Sequence, residues 1–135
     1  MKILVIDGQG GGIGRALVER LRARLPEAEV LAVGANAIAT SAMLKAGASA
    51  AATGENAVRV CARTADVITG PIGIVLKDAM MGEITGAMAA AVAEVPAMRV
   101  LVPVQRCETR IAGADGASLQ SLLDDAVRQI ATLAQ

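Results

Sequence analysis

The sequence predicts one α/β domain over residues 1–135, a mostly parallel sheet doubly wound by helices into three layers. Three observations point there. Short, near-continuous apolar strands alternate with helical patterns along the whole chain, as parallel sheets covered on both faces require. The first strand runs into a helix through "VIDGQGGGIGRALVERL", residues 5–21, with five glycines in the seven positions 8–14. Finally, 135 residues with 54% apolar content and no internal repeat or linker suit a single domain. Such a chain buries roughly two-thirds of its unfolded surface.

The elements follow in order. "KILVI" (2–6) reads as the first strand. Residues 13–25 form a helix with Ile13, Leu17, Leu21 and Leu25 on one face and Pro26 beyond its end. "EVLAV" (29–33) is the second strand. Asn36 caps a helix carrying Ile38, Ala42 and Met43, which Gly47 ends. "ASAAA" (48–52) is a weak third strand, and Thr53 is placed to cap a helix near 55–63. "DVITG" (66–70) is the fourth strand, 71–82 has no clear period, and a helix follows near 84–94. "RVLVPV" (99–104) is the fifth strand, and "ETRIAG" (108–113) suggests a short antiparallel edge strand. Ser118 caps a last helix whose apolar face carries Leu119, Leu122, Leu123, Val127, Ile130 and Leu133.

Composition excludes whole classes of function. With 13 basic and 13 acidic side chains and no basic stripe, binding to a nucleic-acid backbone is not expected. The chain has no His, Tyr, Trp or Phe. A Ser-His-Asp relay, a His-ligated metal site and base stacking on aromatic rings are therefore excluded. No metal site is expected. No charge-free apolar run reaches membrane-spanning length, and "MKILVI" reads as a first strand rather than a signal peptide. Cys61 and Cys107, far apart in sequence, fit reduced thiols in a cytoplasm. So alanine-rich an apolar composition predicts leftover apolar surface, and with it a homo-oligomer.

In doubly wound folds, ligands bind beyond the carboxyl ends of the strands, where strand order reverses. The loops at that edge are rich in glycine and small polar residues, the first most of all. Asp7, Gly8, Gln9, Gly10, Gly11, Gly12, Ile13, Gly14 and Arg15 are candidate phosphate-binding residues. Glycines let backbone approach a pyrophosphate, and the unpaired amides and positive end of the helix face its charge. A bound phosphate would also offset the cost of Arg15 in a first helical turn. After the second strand, Gly34, Asn36 and Thr40 are candidates to hold a ribose. After the fourth, Gly70, Pro71, Ile72 and Gly73 form a turn that can lie flat beneath a base or nicotinamide. The ligand expected is NAD(P) or another adenine nucleotide.

The spacing Gly8, Gly12, Gly14, that is G-x-x-x-G-x-G, resembles the first turn of short-chain dehydrogenases/reductases, with Asp7 where that family has threonine. The likeness covers residues 3 to 21. It stops at the reaction, because the Tyr-x-x-x-Lys pair of that family cannot exist without tyrosine, and the second strand is followed by no charge until Lys45. A second resemblance covers nearly the whole chain. "VIDGQGGGIG", "GANAIATSAMLKAGA", "ATGENAV", "GPIGIVL" and "MGEIT" together look like a family of small bacterial proteins of unknown function, common in anaerobes and regarded as Rossmann-like. That resemblance implies the fold and a bacterial cytoplasmic setting, and supplies no activity or catalytic residue.

The leading expectation is a nucleotide-binding sensor or accessory subunit. A small reductase or phosphate-transferring enzyme is the alternative, with Asp7, Glu55, Asp78 or Glu83 as acid, base or metal ligand. A non-catalytic assembly protein is the third. Cys107, beside Arg106, has a neighbour that favours its thiolate but no histidine to act as base. Cys61, among Val58, Val60 and Ala62, reads as core, and the methionines of "MLKAG" and "DAMMGE" as core or subunit interface.

Overall fold

Five strands form one wholly parallel sheet in the computed structural model, which describes residues 1–104 and 108–135. They are β1 (Lys2–Asp7), β2 (Glu29–Gly34), β3 (Ala50–Thr53), β4 (Val67–Pro71) and β5 (Met98–Val102). Their order is β3-β2-β1-β4-β5. The helices are α1 (Gly12–Arg24), α2 (Ala37–Lys45), α3 (Glu55–Ala62), α4 (Gly86–Glu94) and α5 (Leu119–Leu133). The chain steps outward from β1 to β2 and β3, then returns to lay β4 on the other side of β1. A crevice therefore opens between the carboxyl ends of β1 and β4.

Two apolar layers sandwich the sheet. On one face, Ile3, Val5, Val30 and Val67 pack against Leu17, Val18 and Leu21 of α1, Met43 of α2, and Leu123, Val127 and Ile130 of α5. On the other, Leu4, Ile6, Val33 and Ile68 meet Val58 of α3, Met88 and Val92 of α4, and Ile74, Ala79 and Ile84 between β4 and α4. With no ring available, each fully buried aliphatic side chain contributes about 1.5–3 kcal/mol relative to exposure. Among the described residues, no helix is long and apolar enough to cross a membrane.

The expected alternation holds, with local corrections. Residues 108–113 form turns and irregular backbone rather than a strand, so no antiparallel edge is present among the described residues. Thr53 does not cap α3: Gly54 takes that place at φ 101, and the Thr53 hydroxyl instead meets Thr40 Oγ1 at 2.7 Å. Asn36 and Ser118 do cap α2 and α5, accepting the amides of Ala39 and Ser121. Ile38 lies outward, 71% exposed, because α2 turns Ala39 and Met43 to the sheet. Thr85 caps α4, and the stretch without period, 71–82, contains a 3-10 turn, Ile72–Val75.

Candidate functional site

β1 ends on Asp7, whose side chain is 95% removed from solvent, at 5% exposure. Its carboxylate turns back on the chain. Oδ1 accepts the Gly8 amide and Oδ2 accepts the Gly14 amide, each at 2.7 Å. Gly14 is in the first turn of α1, so Asp7 does the work of a cap that the left-handed Gly11 (φ 72) at the N-cap position cannot. One negative charge thus already stands at the positive end of α1. The loop is further tied down by Gly11 donating to Gly8 O at 2.9 Å, and by Gln9 donating to Glu83 Oε1 at 2.6 Å. The expectation that the amides of residues 8–14 are unpaired is corrected accordingly. Those of Gly8, Gln9, Gly11 and Gly14 are used internally, whereas no partner among the described residues takes those of Gly10, Gly12 and Ile13.

The five loop glycines divide in the same way. A Cβ on Gly8 would lie 2.7 Å from Met80 Sδ and 2.8 Å from Glu83 Oε1. One on Gly11 would lie 2.8 Å from the Ala39 Cα, and one on Gly14 2.8 Å from the Asp7 Cβ. These three are buried and demanded by packing. Gly10 and Gly12 are exposed, have no positive φ, and would place a Cβ with nothing within 4 Å. Nothing among the described residues requires glycine at either position.

Two hollows flank this loop and share Asp7, Gln9, Ile13 and Val104. The first, about 140 Å³, lies between the ends of β1 and β4 and is lined by Pro71, Ile72, Gly73, Leu76, Met80 and Met81. The second, about 350 Å³, runs between residues 7–16 and the first turns of α5, with Leu119, Gln120 and Leu123 as its far wall. Arg20 ties that wall to α1 by donating to Asp124 Oδ1 at 2.8 Å and to Gln120 Oε1. Ligand pockets for drug-sized molecules typically measure ~300–1,000 Å³. The groove is of that size, and the apolar hollow beside it suits one ring.

Not every expected site residue reaches this crevice. Asp7 to Ile13 line it, with Arg15 and Pro71 to Gly73. Arg15 is half exposed and paired with Glu19 at 2.8 Å, an arrangement worth about 0.3–0.5 kcal/mol on a helix surface. Gly34, Asn36 and Thr40 line neither hollow. Asn36 spends its amide on Ala39 N, Gln9 O and Glu83 Oε2, the last at 2.7 Å. Thr40 bonds Asn36 O, Ala52 O and Thr53. Gly70 lies within β4, where a Cβ would strike Ile6 O. Glu55 accepts the Thr85 hydroxyl at 2.6 Å, joining α3 to α4, and Asp78 is exposed. Cys61 is half-buried against the core, while Arg106 and Cys107 lie outside the described residues.

Residues 2–135 match the family described as Domain of unknown function (DUF3842). The chain belongs to that family. No curated protein matches it. Among solved structures, it is similar to a dodecameric FMN-dependent Ubix-like decarboxylase from Escherichia coli O157:H7, at 14% identity and TM-score 0.46, covering 100% of this chain and 95% of that one. It is similar also to AibC at 22% identity and TM-score 0.48, covering 96% of this chain and 41% of that one. At these identities the likeness concerns fold alone.

In this DUF3842 chain, sequence reasoning missed two features of the crevice and one of the sheet beneath it. Glu83 clasps the glycine loop from 74 positions away. Met80 lies against it. Thr69, on β4 beside Val5, is fully buried with an unpartnered hydroxyl. The segment bearing Met80 gives one local signal in its backbone only: Asp78, Met80 and Met81 are left-handed at φ 69, 59 and 58, each costing on the order of 1–3 kcal/mol.

Proposed function

We propose that the protein is a nucleotide-binding module, with phosphate over Gly10, Gly12 and Ile13 and a ring in the hollow lined by Pro71 to Gly73. The observation that carries this reading is the pair Gly10 and Gly12, glycines that face the groove and serve no packing need. Bare backbone with unused amides is what a phosphate requires at close approach. Because the Asp7 carboxylate offsets the field of α1, the phosphate sits away from Gly14, toward the amino end of α5 across the groove. NAD(P) and other adenine nucleotides are the ligands of choice. FMN joins the trial because the decarboxylase of similar fold depends on it.

Calorimetry with NAD, NADP, ADP, ATP and FMN tests the reading. Binding by one of them, lost in Gly12→Val, is the expected result. No heat from any of them would remove it.

An enzymatic role rests on Asp7, the acidic residue that lines both hollows. Turnover abolished in a folded Asp7→Asn variant would favour it. We propose also that the protein works as a homo-oligomer through apolar side chains such as Ile38 and Leu44 on α2, 71% and 50% exposed. A monomer by light scattering at micromolar concentration would rule that out.

A further inference from the structure

Between the buried Ala79 and Ile84, 3% and 0% exposed, the chain throws out a four-residue tip, Met80–Glu83. Its base is closed by two backbone bonds, Ile84 N to Ala79 O at 3.2 Å and Asp78 N to Ile84 O at 2.7 Å. The tip itself is left-handed at Met80, Met81 and Gly82, with φ of 59, 58 and 90. Strained backbone of this kind persists only where surrounding contacts hold it, and gathers at segments that switch. What holds it here is Glu83. Its carboxylate accepts Gln9 N at 2.6 Å and Asn36 Nδ2 at 2.7 Å, and Asn36 Nδ2 also donates to Gln9 O at 2.9 Å.

Met80 is thereby pressed across the switch point of the sheet. Its sulfur lies 2.7 Å, and its methyl 3.4 Å, from where Cβ atoms would stand on Gly8 and Gly73, which follow β1 and β4. That slot is where this kind of fold seats a ligand, and a flexible thioether is the side chain best able to vacate it. Met81 beside it is 96% exposed.

We propose that Met80–Glu83 is a latched gate on the crevice: Met80 narrows the hollow between Gly8 and Gly73, Glu83 locks it to the glycine loop, and a ring-bearing nucleotide widens that hollow by displacing the thioether. The proposal rests on the nucleotide reading for its occupant, but the latch stands on the geometry alone. Hydrogen exchange on the full chain therefore tests the latch without ligand. Glu83→Ala raises exchange about tenfold or more at the bonded amides of both segments, Gly82 and Glu83 in the tip and Gln9 and Gly11 in the glycine loop, leaving the interior of α1 unchanged. Unchanged exchange in either segment overturns the latch.

Calorimetry with NAD and FMN tests the gate. Met80→Ala removes the cost of opening, so the nucleotide that binds does so about threefold or more tightly. Equal or weaker binding makes Met80 a wall and overturns the gate. Should Met80→Ala fold poorly, the Met80 methyl signal in 13C NMR of the unaltered chain decides: it shifts on saturation if the thioether is displaced, and holds if it is not. Absence of heat from both nucleotides in both proteins overturns the occupant, while the exchange result still judges the latch.

Discussion

The Asp7 carboxylate accepts the Gly14 amide at 2.7 Å, so the last residue of β1 caps the helix that follows it. A second bond from Gly8 uses the other oxygen. Asp7→Ala leaves two buried donors without this acceptor and lowers stability by about 1.5–3 kcal/mol, hydrogen bonds to charged groups being the stronger kind. Urea unfolding measures it. The same variant uncovers the positive end of α1, so added sulfate stabilises Asp7→Ala more than the unaltered chain. A midpoint unmoved by the substitution would show that Asp7 is no cap.

Gly10 and Gly12 separate function from stability. Neither needs a left-handed backbone, and an added methyl meets open space. Alanine at each position is expected to leave stability unchanged or raise it by about 0.4–1 kcal/mol, through the unfolded chain, while nucleotide affinity falls. Gly14→Ala behaves oppositely. Its methyl would meet Met43 Sδ at 2.5 Å and Asp7 Cβ at 2.8 Å, an overpacking that costs about 1–3 kcal/mol. Thermal melts and calorimetry on the three variants distinguish the two kinds of glycine.

Thr69→Val removes a buried hydroxyl that has no partner while keeping its shape. Stability should rise by about 1 kcal/mol, since an unsatisfied buried polar group costs roughly that or more. A loss of stability would mean that the hydroxyl is bonded in solution.

Asp125, exposed on α5, is held below its ordinary value of 3.8 by hydrogen bonds from Gln129 and then Arg128. A depressed carboxyl stabilises the fold above its unfolded pKa and ceases to as pH falls through the folded one. The difference in Tm between the unaltered chain and Asp125→Asn should therefore shrink on going from about pH 5 to pH 3. A constant difference would separate Asp125 from the acid response.

Most of the fold was legible because its signals are local. Apolar runs such as "KILVI" and the period of Leu17 and Leu21 depend on neighbours a few residues away, and Asn36 and Ser118 announce their helices by residue type. Where local chemistry had equivalents, reading failed. Residues 108–113 carry the composition of an edge strand but find no strand to pair with among the described residues. Thr53 could cap a helix, yet a threonine on α2 bonds it first. Glu83 looked like a candidate acid because nothing near it in sequence shows that Gln9 and Asn36 will meet its carboxylate.

By itself the sequence determined a parallel, doubly wound sheet, the caps of α2 and α5, and a glycine-rich turn at its first strand. Those follow from periodicity and backbone freedom, which a short window of residues expresses in full. Only the tertiary structure decided which glycines the packing demands, that Asp7 occupies its own helix end, and that Met80 lies between Gly8 and Gly73 under the hold of Glu83. Those outcomes depend on which distant loops the strand order brings to one edge, and on which donor reaches a carboxylate first.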